Sequence, residues 1–212
     1  MDLRSFRSRS LLRISFFAIA FLAPIVLDAV PQSASPQTPA GEILFALDPA
    51  QSKVHWTLGT TLHAVHGTFG LKKGTLRLDT DSRKASGEIV VDATSGNSGD
   101  ESRDKKMHKD VLESARYAEI VFRPNQVEGK LSSEGTCNVL LHGVFVLLGK
   151  EHEMTVPVQA DLAADHWSGA AKFGVPFIEW GLKNPSNFLL HVDHVVEIEL
   201  ELKGSLQRAA TP

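Results

Sequence analysis

Residues 196–203 read VEIELELK, and this run decides the fold. Val196, Ile198, Leu200 and Leu202 alternate with Glu197, Glu199, Glu201 and Lys203. A period of two is that of a β-strand with one buried face and one wet face. A helix would scatter the same apolar residues around its circumference. Strands with one wet face belong to antiparallel sheets.

The pattern recurs upstream. Lys53–Leu58 puts Val54, Trp56 and Leu58 on one face, and residues 73–79 do the same with Leu76 and Leu78. Residues 86–92 pair Ile89 with Val91. Further strands are expected at 119–123, 135–142, 144–148, 154–162 and 168–175. The run Val144–Leu148 is apolar on both faces, which fits cover by another element or an oligomer contact, a dimer included. Asp79–Ser82 and Pro124-Asn125 read as turns.

One segment breaks the period. In residues 101–115, Met107, Val111, Leu112 and Ala115 recur at helical spacing. One or two short helices are expected here, with Ser102 as N-cap and Asp100, Glu101 and Asp104 favoured by the helix dipole. A doubly wound α/β fold would need many such segments. The expected fold class is therefore all-β, a closed antiparallel barrel or a sandwich with a short helical insert.

The chain has 212 residues and a net charge of −3. The first 28 residues carry four arginines against two aspartates, so the remainder is more acidic than the whole. That balance argues against nucleic acid as a partner. Residues 1–30 show a basic stretch, an apolar run and then small and polar residues, the order of a secretory signal. The apolar run is short for a bilayer span of roughly 20 residues and contains Pro24. An exported, periplasmic or secreted protein is expected, with an uncleaved anchor as the alternative. Residues 31–41 read as a linker, 42–204 as the folded domain and 205–212 as a tail. Cys137 is the only cysteine, which excludes an intrachain disulfide and a cysteine zinc cluster.

Residues 55–69, HWTLGTTLHAVHGTF, hold three histidines. Parity sends His55 outward, opposite Trp56 and Leu58. His66 points away from the face of Val65, Gly67 and Phe69. Only His63 has the parity of the inward face.

Several ordered stretches resemble the YceI-like family of bacterial polyisoprenoid-binding, lipocalin-like proteins. They are Leu47-Asp48-Pro49, Ser52-Lys53-Val54, Val65–Phe69, the loop 95–104 with Met107 and Leu112, Tyr117 with Glu119–Phe122, His142-Gly143-Val144 and Val195–Gly204. The chain is similar to a subgroup with SGxSG at 95–99 and VPxxxWGLKNPSxFLLxV at 175–192. It lacks the Lys-His pair that better-known members carry near the position of Leu58-Gly59.

The resemblance implies a closed, extended antiparallel β-barrel with a helical cap, around an apolar tunnel for a long-chain isoprenoid, an isoprenoid quinone or another amphiphile. Binding would be non-catalytic, for storage, protection or transport, with no cofactor, no metal and at most transient membrane contact. Such a chain binds by removing apolar surface from water, at about 25 cal/mol per Å². The expected tunnel wall is Trp56, Leu58, Phe69, Leu76, Leu78, Ile89, Val91, Phe122, Phe173, Phe177, Trp180 and Phe188, with Ile198 and Leu200 also inward. About half of these are expected to touch ligand and half only to pack. The expected lid and head-group residues are His63, Arg103, Met107, His108 and Leu112. The plainer alternative is a helix packed over a barrel end, with Arg103 bonded to its own loop.

Two rival classes stay open. A metal-dependent enzyme on a β scaffold is weakened by the lack of H-E-x-x-H and of paired cysteines. A serine hydrolase lacks G-x-S-x-G. A ligand-free structural or carbohydrate-binding sandwich would want aromatics facing solvent, and most here have inward parity.

Overall fold

The computed structural model describes residues 41–208 apart from 133, 187 and 189. The expected signal segment 1–30, and all of the expected linker but Gly41, lie outside the described residues.

The strands are β1 Glu42–Leu47, β2 Lys53–Leu58, β3 Val65–Asp79, β4 Ala85–Asn97, β5 Glu119–Gly129, β6 Gly135–Leu147, β7 Lys150–Leu162, β8 His166–Val175 and β9 Val196–Arg208. Between β4 and β5 lie helix α1, Glu101–Lys106, and a single π-helical turn, Met107–Val111. From β3 to β9 each strand pairs antiparallel with the next. β1 and β2 both lie between β3 and β9 and close the ring. Together they form one interrupted strand, so the molecule is an eight-position closed antiparallel barrel with one short helix.

The interruption is chemically specified. Asp48 Oδ1 accepts the Ala50 N–H at 2.9 Å, and its Oδ2 accepts the Gln51 side-chain amide at 2.6 Å. These bonds hold the Asp48 carboxyl below its ordinary pKa, the Gln51 side chain most of all. They fold Asp48–Ser52 into a tight excursion, after which the chain resumes in the same direction.

The period of two in the opening run reports the barrel wall. Leu202 and Leu206 are buried, and Glu199, Glu201 and Lys203 are exposed. On the wet face Lys172 Nζ reaches Glu197 at 2.7 Å and Glu199 at 2.6 Å. Such exposed pairs contribute little each.

Inside, one end is filled. Ile43, Phe45, Leu76, Leu78, Ile89, Phe122, Leu162, Trp167 and Leu206 form a continuous packed cluster. Phe45 meets Trp167 edge to face at 5.2 Å and 87°, a favoured aromatic geometry. Cys137 is buried in the same cluster with a free thiol.

The structure differs from the expectations at several points. β1 was not anticipated as a separate strand. The expected strands 135–142 and 144–148 are one, β6, running through Gly143. A Cβ at Gly143 would lie 2.4 Å from the Arg123 carbonyl and 2.8 Å from Pro124 Cα. The missing side chain therefore lets β5 approach rather than turning the chain. Pro124-Asn125 is not a turn but an irregularity inside β5, between the pairs Pro124–Gly143 and Gln126–His142, where a proline is tolerated. Asp100, not Ser102, caps the helix: its backbone is extended and its carboxylate accepts the Arg103 N–H at 2.8 Å. The helix ends near Val111, with Glu113 at a φ of 44°. β9 runs on to Arg208, four residues into the expected tail.

Candidate ligand cavity

The two barrel ends carry different connections. At the filled end the turns are short: 80–84, 130–134 and 163–165. At the other end lie the β2–β3 loop 59–64, the helical connection 98–118 and the long β8–β9 connection 176–195, beside one tight β6–β7 turn at Leu148-Gly149. Beneath them is an apolar cavity of about 520 Å³. Its walls are the inward residues nearest that end on each strand: Trp56 and Leu58, Val65 and Phe69, Ile120, Phe145 and Leu147, Val175, Val196 and Ile198. Phe177, Leu182, Pro185, Leu190 and Val192 of the β8–β9 connection complete the wall.

The helix forms the roof. Met107, Val111 and Leu112 face the cavity. Gly96 permits the close fit: a Cβ there would fall 2.6 Å from Phe69 and 2.8 Å from Met107. The helix start is pinned through Ser98, whose N–H donates to Asp104 Oδ1 at 2.9 Å. Arg103 donates from Nε to Ser98 Oγ at 2.7 Å and from Nη2 to the Ser98 carbonyl at 2.9 Å. Just before this loop, the Thr94 hydroxyl and N–H donate to Asp92 Oδ1, which holds that carboxyl below its ordinary pKa.

The rim is polar. Thr60 and His63 come from one loop, and Asp100, Ser102, Arg103 and Lys106 from the helix start. The two mouth loops are stitched together: the Thr61 N–H donates to the His191 carbonyl at 3.0 Å and the Asp193 N–H to the Gly59 carbonyl at 2.9 Å. Each carries a large apolar side chain into solvent, Leu62 at 77% exposure and Phe188 at 95%.

The expected wall residues divide. Trp56, Leu58, Phe69 and Phe177 line the cavity, as does Ile198. Leu76, Leu78, Ile89 and Phe122 belong instead to the packed end, and Val91 and Leu200 pack against it. Parity finds the inward face but not the depth along the barrel. Phe173 faces inward just below the cavity, between the two apolar clusters. Trp180 is not on the wall: it stacks on His152 at 4.1 Å, nearly parallel, and lies 5.5 Å from Phe145. Phe188 points to solvent because strand parity lapses in the long connection.

Of the expected lid and rim residues, His63, Arg103, Met107 and Leu112 border the cavity. His108 does not. Its Nε2 lies 2.9 Å from the Gly96 carbonyl and its Nδ1 3.0 Å from the Ser114 hydroxyl. A carbonyl only accepts, so Nε2 carries the proton and Nδ1 accepts from Ser114 when the ring is neutral. His108 thus ties the π-helical turn to β4. His55 and His66 lie outside the cavity, and His66 Nδ1 is bonded to the Thr57 hydroxyl at 3.0 Å. The reading from sequence missed Thr60, Leu62, Val65, Asp100, Ser102, Lys106, Val111, Ile120, Phe145, Leu147, Val175 and the wall residues beyond Phe177. Val111 had been read only as part of the helical period. Ile120 and Val175 had strand parity to mark them. Phe145 was hidden in a run apolar on both faces.

Among the described residues, no group of three His, Cys, Asp or Glu side chains is arranged to hold a metal. No described helix is long and apolar enough to cross a membrane.

Known proteins share this architecture. The crystal structure of BcnA from Burkholderia cenocepacia superposes with a TM-score of 0.62 at 17% identity, over 74% of this chain and 99% of that one. A polyisoprenoid binding domain from Saccharophagus degradans, implicated in plant cell wall breakdown, gives a TM-score of 0.58 at 15% identity, over 77% and 98%. At these identities the likeness is one of fold. A 150-residue stretch is 26% identical to UDP-N-acetylglucosamine 1-carboxyvinyltransferase 1 of Staphylococcus epidermidis. It spans 34% of that enzyme's length, so the enzyme's activity is not carried over. The YceI-like domain profile matches residues 45–204, the whole barrel but for its first and last few residues. The chain belongs to the family of YceI-like domains.

Proposed function

We propose that the protein binds a long-chain amphiphile, such as a polyisoprenoid or isoprenoid quinone, and stores, protects or carries it without chemical change. The observation that carries this reading is the cavity: apolar along its depth, about 520 Å³ in volume and polar only at its rim. Bound-ligand cavities have this combination of apolar walls and few polar groups. The tail would lie against Trp56, Leu58, Phe69 and Phe177 under Met107 and Leu112. The head group would meet His63, Arg103 and Lys106 at the rim. The polyisoprenoid binding domain among the similar folds supports the same ligand class. The basic and apolar N-terminus supports an exported, periplasmic or secreted location. Leu62 and Phe188, exposed on the stitched loops, favour brief contact with a membrane during loading.

Organic extraction of natively purified protein, followed by mass spectrometry, tests the reading. A stoichiometric isoprenoid or other single-chain amphiphile is expected. Protein free of extractable lipid that also fails to take up added prenols would end it.

A further inference from the structure

The cavity occupies only one end of the barrel, and its depth is limited. On β2 it reaches Trp56 but not Val54, on β5 Ile120 but not Phe122, and on β9 Ile198 but not Leu200. The excluded residues belong to or pack against the filled end, Val54 apart, which is itself buried. Among the described residues lining the cavity, Phe145 alone also packs against that filled cluster. It stands where hollow meets solid.

We infer that the cavity takes a single chain of limited length, on the order of 17 carbons if each methylene fills about the 30 Å³ that one water molecule occupies in the liquid, and that Phe145 is the stop that sets this length. This inference rests on the amphiphile-binding reading. The matching ligand is a fatty acyl chain or a prenyl chain of about three to four isoprene units by the same volume. An octaprenyl chain needs more than twice the space, at roughly 1,200 Å³ on the same measure. Its far half would stay outside the barrel.

The geometry gives a specific form to the length dependence. Each methylene that enters an apolar site tightens binding about fourfold. Carbons beyond the stop add nothing, because they stay in the surroundings they had before binding.

Farnesol, geranylgeraniol and an octaprenol, with fatty alcohols of graded length, are titrated against the full protein by displacement of a fluorescent amphiphile. Affinity is expected to rise about fourfold per carbon and then level off near the length of geranylgeraniol. Phe145→Ala is expected to move the plateau outward by about one isoprene unit. Because that variant opens the packed end, Ile198→Phe is measured beside it. It fills the wall above the stop and is expected to move the plateau inward. Affinity that keeps rising to the octaprenol in the wild-type protein would overturn the inference. So would a plateau that neither variant moves while both remain folded by circular dichroism. Failure of every chain to bind would instead overturn the amphiphile reading itself.

Discussion

Phe45 and Phe69 are both inward phenylalanines of the same barrel, yet they sit in different materials. Phe45 lies edge-on to Trp167 within close-packed side chains, beneath short turns. Phe69 lies 6.5 Å from Trp56, half-buried, with a cavity on one side and Met107 above it. Along a single strand the wall passes from solid to hollow. The filled end supplies the dense packing that stabilises the fold. The hollow end forgoes some of those contacts, since atoms facing a void have no partners on that side. The contrast separates stability from binding within one chain.

The sharpest way to break the contrast is to make the same substitution at both ends. Phe45→Ala should cost about 3–5 kcal/mol in denaturant unfolding, the range for a phenylalanine removed from a closed core. Phe69→Ala should cost only about 1 kcal/mol, since part of its surface faces the void. It should instead weaken amphiphile binding about tenfold, or ~1.4 kcal/mol. Equal losses of stability at both sites would dissolve the distinction.

A smaller effect should isolate the roof. Asp100→Ala removes the cap of α1 and should cost about 1 kcal/mol, felt mainly in the helix. Hydrogen exchange should quicken in residues 101–111 and stay slow in β6 and β7. The ligand should dissociate faster. A uniform rise in exchange across the barrel would mean that the helix is part of the cooperative core rather than a cover.

The smallest effect belongs to the outer wall. Lys172 is raised to about 12, chiefly by the Glu197 carboxylate and then by Glu199. Glu199 is held below its ordinary 4.5, chiefly by the Lys172 ammonium. The carboxylate's contribution is full above 4.5 and is lost as pH falls through its lowered value. The ammonium's contribution is full below its ordinary 10.5 and is lost only as pH rises through about 12. At neutral pH both are present, and both weaken in salt. Lys172→Met should therefore flatten slightly the fall of the urea midpoint below pH 4.5, leaving ligand binding unchanged. An altered ligand affinity would show that wall and cavity are coupled.

Much of the barrel is legible in the chain because one physical signal, apolar–polar alternation, repeats wherever a strand has one wet face. VEIELELK and KVHWTL announce their faces directly. The signal fails where both faces are apolar, as at Val144–Leu148, and where a strand is broken by a loop, as between β1 and β2. The site is only half legible. Parity names Trp56, Leu58 and Phe69 correctly as inward, but gives Leu76 and Ile89 the same mark. Whether an inward residue meets ligand or another side chain depends on its height in the barrel. Height depends on register, which joins residues far apart in sequence. Phe188 shows the opposite failure, where an aromatic in a long connection was read as though it lay on a strand.

The broken strand has a consequence for the order of assembly. β1 pairs with β9 from Ile43 to Arg208, across nearly the whole domain. Until β9 exists, β8 and the paired β1, β2 and β3 each expose an unsatisfied edge, and unpaired edges invite association with other chains. Closure therefore waits for the last thirteen residues of the barrel, and pairing over such separations is slow, on the millisecond-to-second scale typical of all-β domains. Until β9 pairs, those two open edges are where the incomplete chain is exposed to association, so the yield of folded protein depends on how long that interval lasts.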